Sequence, residues 1–279
     1  MEAKKRRELE KLALEIRIGI IEQLKARGFG HVGGSLSIAD ALAVLYGDVM
    51  CVRPDDPKWP DRDKLVCSKG HAGPAIYSTL AVKGFFPYEE LKTLNQPGTK
   101  FPSHCDRKLT PGVDMTTGSL GQGTSVACGM ALADKLLGKD CRTYLFVGDG
   151  ELNEGQVWEA AMFAAGKKLD NVVWLIDWNK KQLDGTIEEV LPQFDLCAKF
   201  ASFGFDAVQI NGNDIEQIYD AITNAGKLGK PTAIILDTVK GCGVKEVEET
   251  AANHSMAVPT EKWDSWLCDL KAELDRMEA

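Results

Sequence analysis

The sequence predicts an α/β fold in which helices cover both faces of a doubly wound, mostly parallel sheet. The first observation is that, from residue 141 onward, short apolar runs alternate with helical patterns. The second is that glycine turns or polar residues follow directly where several of these runs end. The third is the length of 279 residues, which is enough to bury a sizeable core. We expect a single domain over residues 1–279, with long loops in its N-terminal part and a helix at its C-terminal end.

The N-terminal part of the chain predicts helices separated by loops. Apolar residues at helical spacing lead up to Gly28, where we expect the first helix to end. Segments rich in Gly, Pro, Ser, Thr or Asp have almost no periodicity and are predicted loops, and long loops inside compact proteins are often functional. The predicted helices cover residues 8–27, 37–49 and 73–84, and the predicted loops cover 51–63 and 95–123.

The C-terminal part predicts four strands and three helices in alternation. The strands are short and rich in β-branched and aromatic residues, as expected for strands buried between two helical layers. The predicted strands are Thr143–Val147, Asn171–Ile176, Ala207–Ile210 and Thr232–Val239, and the predicted helices cover 154–166, 214–227 and 260–277.

Composition and charge narrow the range of partners. A net charge of −8 argues against nucleic acid as the main partner. No apolar run approaches the roughly 20 residues that a membrane span needs, and no signal-peptide core follows the start. The eight cysteines show neither a C-x-x-C pair nor zinc spacing. We therefore expect reduced, mostly buried thiols and a cytoplasmic location without a membrane partner.

Polar residues at two predicted strand ends indicate a metal and diphosphate site. Gly148-Asp149-Gly150 follows one strand and Asn179 follows the next. If the strands are neighbours, a carboxylate and an amide oxygen converge where open parallel sheets bind ligands. Such hard ligands suit Mg²⁺ or Ca²⁺, and the following helix directs its N–H groups at a diphosphate. From the residues alone, a plain strand-to-helix turn capped by Asp149 is an equal alternative.

Four motifs resemble those of transketolases, and they occur along nearly the whole chain. Residues 148–160 (GDGELNEGQVWEA), followed by Asn179, resemble the thiamine diphosphate signature. The other motifs are residues 30–35 (GHVGGS), 68–72 (SKGHA) and 118–123 (GSLGQG). The resemblance implies the thiamine diphosphate-binding fold, with thiamine diphosphate and Mg²⁺ as cofactors and with Ca²⁺ or Mn²⁺ as possible substitutes for Mg²⁺.

The resemblance also assigns metal ligands. The side chains of Asp149 and Asn179 would bind Mg²⁺ together with the backbone carbonyl of Lys181. Gly150 would donate its N–H to the diphosphate. Transketolases usually have an apolar residue where this chain has Lys181, so its side chain must point away from the cation.

Further cofactor contacts follow from the same resemblance. Gly118 and Leu120 would lie against the aminopyrimidine of the cofactor. Ser119 replaces a usual proline in this loop, and we expect a slightly looser loop with its chemistry intact. Glu154 would join a carboxylate network that links active sites across a subunit interface. From the residues alone, Glu154 is a first-turn helix acid favoured by the helix dipole, and the two interpretations are compatible.

The four histidines, His31, His71, His104 and His254, all lie in Gly- or Ser-flanked segments of low periodicity. Singly, a loop histidine is more often a structural or surface residue, but together they suggest a polar site assembled from loops. By resemblance, His31 and His104 would contact the hydroxyls and carbonyl of a sugar, whereas His71 and His254 would lie near the diphosphate and the reacting centre. Imidazoles suit proton transfer to sugar oxygens, so all four are candidate catalytic residues.

The implied reaction transfers a two-carbon ketol unit from a ketose (phosphate) to an aldose (phosphate). Transketolases usually carry a second domain with the Glu that activates the cofactor and most sugar-phosphate contacts. No such domain fits after residue 260, so the chain resembles the N-terminal subunit of a split transketolase. We expect it to be inactive alone and to need a separate C-terminal subunit, with two copies of each in the complex.

Two alternatives remain open. One is a different thiamine-dependent enzyme, such as a 1-deoxyxylulose-5-phosphate synthase-like one, although the His104 segment and the 118–123 loop favour transketolase. The other is a non-catalytic binding homologue, which would not require Asp149, Asn179 and four histidines. The sequence does not identify the donor and acceptor sugars.

Overall fold

Five strands pair in parallel to form the central sheet of residues 1–278, the part of the chain that the computed structural model describes. Two further strands, β1 and β7, form a separate antiparallel ribbon. The order in the main sheet is β2-β3-β4-β6-β5. The strands are β1 (Phe29–Gly30), β2 (Lys64–Cys67), β3 (Thr143–Gly148), β4 (Val172–Trp178), β5 (Asp206–Asn211), β6 (Thr232–Asp237) and β7 (Met256–Ala257).

Helices precede, connect and follow the strands. A π-helical turn over Leu45–Val49 extends one of them, and 3₁₀ turns cover Gly70–Ala72, Tyr88–Thr93 and Gly150–Asn153. The helices are α1 (Ala3–Arg27), α2 (Gly33–Leu36), α3 (Ala39–Val44), α4 (Gly73–Val82), α5 (Gln122–Leu136), α6 (Gly155–Gly166), α7 (Ile187–Val190), α8 (Leu196–Phe203), α9 (Ile215–Asn224), α10 (Lys245–Glu249) and α11 (Thr260–Glu278).

Alternating side chains divide the interior into two cores, one on each face of the sheet. Phe146 and Leu175 pack with α1, α3, α4, α9 and α11 on one face. Val147 and Trp174 pack with α5, α6 and α8 on the other. Since successive residues of a strand point to opposite faces, the buried, mostly apolar strands β3 and β4 require helices on both sides. The predicted doubly wound α/β fold is confirmed, and whether residues 1–279 form a single domain stays a prediction.

Helix α1 lies at the centre of the helices that cover the face of the sheet with Phe146 and Leu175. It contacts α3, α4 and α11, so most of its second half is buried. Gly19 permits the approach to α4, because a Cβ at this position would lie 2.1 Å from Ser78 Oγ. The helix ends at Gly28, which has a φ of 86° and donates its N–H to Leu24 O. This is the end that the sequence predicts.

Several elements differ from the sequence prediction. Strand β2 was not predicted, since it has three apolar residues and follows the charged stretch 61–63. Helix α5 was not predicted either and begins inside the predicted loop 95–123, because Gly123, Gly129 and small side chains weaken its periodicity. The predicted helix 37–49 is divided between α3 and the π-helical turn.

Candidate active site

Asp149 and Asn179 emerge side by side at the carboxyl edge of the sheet. Strands β3 and β4 are parallel neighbours, and Gly148 pairs with Asp177 in their register. Asp149 therefore lies one residue beyond this pair and Asn179 two residues beyond it. Both side chains are buried. The condition on which the predicted metal site depended, that the two strands are neighbours, is confirmed.

The Asp149 carboxylate connects two loops. Its Oδ1 accepts from Gly150 N at 2.8 Å, so it caps the 3₁₀ turn that follows, as the simpler alternative expected. Its Oδ2 accepts from Lys180 N at 2.6 Å, which ties it to the loop after β4. Burial and the neighbouring Asp177 carboxylate raise the pKa of Asp149. A cation beside this carboxylate would relieve both effects.

The Asn179 amide and the Lys181 carbonyl complete the predicted metal ligands. Asn179 Nδ2 donates to Asp177 Oδ2 at 2.8 Å, which fixes the orientation of the amide, and Asn179 Oδ1 accepts from Lys181 N at 3.2 Å. The Lys181 carbonyl accepts from Lys240 Nζ at 2.8 Å. Lys181 Nζ donates to the Glu248 carbonyl at 3.3 Å.

A fully buried ion pair lies beneath these ligands. Lys69 Nζ donates to Asp177 Oδ2 at 2.6 Å and to the Gly34 carbonyl at 2.7 Å. Ser37 Oγ and Thr238 Oγ1 also donate to Asp177, at 2.8 and 2.5 Å. Burial alone would raise the pKa of Asp177, but the Lys69 ammonium and these hydrogen bonds hold it below its ordinary value. Asp177 is thus a charged hub connecting β4, β6 and the N-terminal loops.

Lys240 is a second cation of the site, and it follows the end of β6. Burial lowers its pKa, while Asp149 and Asp177 act in the opposite direction. It lines the same cavity as Asp149 and Asn179, which has a volume of about 350 Å³. An ammonium in this position suits the charge of a diphosphate. The sequence interpretation missed both Lys240 and Lys69, although Lys69 lies in the SKGHA motif and Lys240 follows a predicted strand.

The four histidines converge on the cavity from separate loops. The His31 ring centroid is 5.4 Å from that of His71, 5.6 Å from that of His104 and 5.3 Å from that of His254. The His71 and His254 centroids are 4.7 Å apart. The expectation of a polar site assembled from loops is thus met by the geometry. The roles that the resemblance gives to each ring remain predictions.

The imidazoles are electrically neutral groups at neutral pH. Burial lowers the pKa of all four, and for His71 it is lowered well below the ordinary value. Burial together with the nearby Lys240, His31 and Lys69 lowers the pKa of His254 to about 4. A neutral ring has one N–H donor and one acceptor nitrogen, so it is able both to give and to receive a proton.

The imidazole nitrogens are left for a ligand. Among the described residues, the one side-chain hydrogen bond to a histidine is that of Ser35 Oγ, and it goes to the His31 backbone carbonyl at 2.6 Å. No hydrogen bond within residues 1–278 connects a ring nitrogen to another protein group. The His31, His71 and His254 residues are half-buried and His104 is exposed, so the rings are accessible from the cavity that they line.

The loop 118–121 forms another wall of the cavity. Gly118 and Leu120 both line it. Gly118 has a φ of 145°, and a Cβ there would lie 3.2 Å from the His104 ring. The Leu120 carbonyl accepts from Gln156 Nε2 at 2.9 Å. Glu154 does not share this site: it is exposed at the start of α6 and is not among the cavity-lining residues of the described chain.

The donor set fits a divalent metal and a diphosphate. Within residues 1–278, no three side chains of His, Cys, Asp and Glu are grouped to hold a metal ion. The predicted centre therefore depends on the Asp149 carboxylate, the Asn179 amide oxygen and the Lys181 carbonyl, which are the hard oxygen ligands that Mg²⁺ prefers beside phosphate oxygens. A Cβ at Gly150 would lie 2.9 Å from the Gln182 side chain, so a larger residue in this turn would require Gln182 to shift.

A parallel sheet with these groups at its strand ends places the chain among α/β enzymes that bind a diphosphate cofactor there. Comparison with known proteins gives the family. Residues 9–266 match the thiamine diphosphate binding domain of transketolase. The chain is 47% identical over 267 residues to the 6-deoxy-6-sulfo-D-fructose transketolase subunit SqwG of Clostridium sp. (strain MSTE9), covering 95% of this chain and 97% of that protein.

Two other comparisons agree. The chain is 38% identical to an apulose-4-phosphate transketolase subunit from Phocaeicola vulgatus, over 94% of this chain and 92% of that one. The crystal structure of Campylobacter jejuni transketolase superimposes with a TM-score of 0.85 at 29% identity, covering all of this chain and 48% of that one. The chain belongs to the transketolase family of enzymes and corresponds to its N-terminal, thiamine diphosphate-binding part. It spans less than half the length of that solved transketolase.

The predicted burial of the cysteines holds for half of them. All eight cysteines are free, and four of them are buried. None of the helices described is long and apolar enough to cross a lipid bilayer.

Proposed function

We propose that this chain is the cofactor-binding subunit of a two-component transketolase that depends on thiamine diphosphate and Mg²⁺. The observation that carries the proposal is that Asp149, Asn179 and Lys181 line one cavity together with the four histidines. The oxygen ligands would hold Mg²⁺, and Lys240 and the Gly150 N–H would contact the diphosphate. The bound cofactor would supply the carbon nucleophile that cleaves a C–C bond beside a carbonyl.

The histidines would bind the sugar and transfer protons to and from it. Their ring nitrogens have no protein partner in residues 1–278, and the four rings line the cavity. His31 and His104 would bind the hydroxyls and carbonyl of the sugar, and His71 and His254 would move protons near the reacting carbon. In this way a two-carbon ketol unit would pass from a ketose to an aldose.

A separate partner subunit is part of the proposal. Apolar side chains are exposed on α5 and α6, two helices that pack against each other: Leu136 is 78% and Phe163 41% exposed. Exposed apolar surface of this kind marks protein interfaces. Two similar proteins are named as transketolase subunits, and each is nearly matched in length by this chain. We propose a cytoplasmic complex with two copies of each subunit, in which Glu154 belongs to the carboxylate network across the interface.

The substrate of the most similar relative described above suggests which donor to test first. That relative acts, by its name, on 6-deoxy-6-sulfo-D-fructose, whereas the relative from Phocaeicola vulgatus acts, by its name, on apulose 4-phosphate. We propose a ketose carrying an anionic group as the donor class, with the sulfonated and the phosphorylated sugar tested side by side. The basic residues that line the cavity, Lys69, Lys181 and Lys240, lie near the proposed metal ligands, so the partner subunit would contribute most contacts to that anion.

The test is reconstitution. The chain and its candidate partner are purified separately and assayed alone and together for ketol transfer in the presence of thiamine diphosphate and Mg²⁺. We expect turnover only in the mixture and its loss with Asp149→Ala. Turnover by the chain alone would contradict the two-component proposal. If the mixture binds the cofactor equally well with the native chain and with Asp149→Ala, the result would instead favour a non-catalytic homologue.

A further inference from the structure

The Glu151 carboxylate is buried where three cavity-lining segments meet. Only 2% of the residue is exposed. Its Oε1 accepts from Ser68 Oγ at 2.5 Å and from Gly121 N at 2.6 Å. Its Oε2 accepts from Gly148 N at 3.1 Å. One side chain therefore collects three donors from three different parts of the sequence.

Each of the three segments belongs to the proposed cofactor site. Ser68 directly precedes Lys69, Gly70 and His71. Gly121 closes residues 118–121, which we call the pyrimidine loop because Gly118 and Leu120 are proposed to contact the aminopyrimidine. Residues 148–151 form the diphosphate turn, which contains Asp149 and Gly150. Glu151 thus joins the wall proposed for one end of the cofactor to the wall proposed for the other.

The donors require a carboxylate. Gly121 and Gly148 donate backbone N–H groups, which cannot become acceptors, whereas a hydroxyl such as that of Ser68 is able to do either. An ionised carboxylate presents acceptors on both oxygens. The amide of a glutamine has one oxygen and one NH₂ group, so either orientation sets the NH₂ against one of the two backbone N–H groups. Replacing Glu151 by Gln therefore leaves one buried donor facing another.

The pyrimidine loop depends on few other contacts. On its outer side, the Leu120 carbonyl accepts from Gln156 Nε2. On its inner side, Gly121 N donates to Glu151, and Thr117, directly before the loop, donates its Oγ1 to the Cys67 carbonyl at the end of β2 at 2.7 Å. Close packing supports this connection, because a Cβ at Gly123 would lie 2.6 Å from Ser68 Oγ. A shift of Glu151 would accordingly move the loop relative to the diphosphate turn.

We propose that Glu151 is a positioning residue whose charge holds the pyrimidine loop and the diphosphate turn at the spacing that thiamine diphosphate requires. Its carboxylate oxygens are occupied by Ser68, Gly121 and Gly148, so it acts through these neighbours. The inference rests on the proposed function, because it assumes that the two walls hold the two ends of this cofactor.

The test compares Glu151→Gln with Ser68→Ala and with Glu261→Gln, an exposed glutamate in the first turn of α11. Titration calorimetry measures the Kd of thiamine diphosphate, with Mg²⁺, for the complex of the chain with its partner subunit. Hydrogen exchange measured by mass spectrometry reports on residues 117–123 of the chain without cofactor. We expect Glu151→Gln to raise the Kd about tenfold or more and to speed this exchange.

The two other variants are the controls against which the effect of Glu151→Gln is compared. Ser68→Ala removes a single donor and leaves both backbone N–H groups satisfied, so we expect a smaller rise in Kd, of about two- to threefold, and slightly faster exchange. Glu261→Gln leaves both measurements unchanged. Should Glu151→Gln fail to fold, Ser68→Ala decides, and values equal to those of the native chain overturn the inference.

Two results separate this inference from the proposed function. If the native complex binds thiamine diphosphate and Glu151→Gln has the same Kd and the same exchange, the proposed role of Glu151 is overturned and the proposed function is not. If the native complex binds no thiamine diphosphate, the proposed function is overturned. In that event, faster exchange of residues 117–123 in Glu151→Gln still supports the coupling of the loop to the turn.

Discussion

The strand-end half of the cavity, formed by Asp149, Asn179 and Lys240, lies on the carboxyl edge of the sheet, whereas the imidazole half, formed by the four histidines, lies on loops. In the first half, hydrogen bonds within the protein fix the polar groups, and Asp177 beneath them has four donors. In the second half, the ring nitrogens have no protein partners among residues 1–278. The sheet supplies rigid anchoring for charge, and the loops supply groups that remain available to a ligand.

The largest effect should come from breaking the buried charge below the strand-end half. Asp177→Asn leaves the Lys69 ammonium buried without its carboxylate, and we expect a loss of about 3–5 kcal/mol in the free energy of unfolding. The matched control is Asp170→Asn, which breaks the exposed pair with Lys135 and should cost about 0–1 kcal/mol. Urea unfolding of both variants checks this, and equal losses would contradict a special role for the buried pair.

The second-largest effect is expected from the removal of Asp149, the proposed metal ligand. We expect Asp149→Ala to weaken the binding of thiamine diphosphate with Mg²⁺ by about 100-fold or more, because partners outside the first ligand shell alone are worth about 10–100-fold. Calorimetry on the complex measures this, with Asp275→Ala on the exposed side of α11 as a control. A variant that keeps the native affinity would remove Asp149 from the metal site.

A smaller and different effect is expected in the imidazole half. His104→Asn removes a ring proposed to contact the sugar, so kcat/KM for the donor sugar should fall about tenfold. The Kd of thiamine diphosphate should stay within about twofold of the native value, because the metal ligands are untouched. If the cofactor affinity fell by the same factor as kcat/KM, the proposed division of labour between the two halves would be wrong.

The smallest effect concerns pH. All four histidines have lowered pKa values in the folded chain, and that of His254 lies at about 4. As the pH falls below about 6.5, the unfolded chain takes up these protons first, so the native state loses stability between about pH 6.5 and 4 and keeps it above this range. NMR titration of the ring protons, combined with urea unfolding at each pH, checks the sign. A ring that titrates above about 6.5 would contradict it.

The two halves also differ in how far the sequence predicts them. The strand-end half follows from local patterns, because Asp149 and Asn179 stand directly after predicted strands that prove to be neighbours. Lys240 carries the same signal, since it follows a third predicted strand, and it was missed only because a lone lysine is usually a surface residue. Lys69 was hidden because β2 itself was not predicted.

The imidazole half is beyond local patterns. His31 and His254 are far apart in the sequence, and no periodicity connects them. The position of all four histidines in loop segments suggested a shared polar site, and the resemblance to transketolases then gave each ring a role. The role of Glu151 was hidden for another reason: its three donors include two backbone N–H groups, whose directions depend on the loop conformation and leave no mark in the sequence.

The small ribbon of β1 and β7 decides when the cavity is completed. It pairs Gly30 with Met256 and thereby brings His31 beside His254, from opposite ends of the chain. Closing a loop of that length costs entropy that nearer contacts do not, so such pairings tend to form late in folding. The imidazole cluster is therefore expected to be among the last parts of the molecule to assemble. A chain emerging from the ribosome would hold its metal ligands in place before its four rings meet.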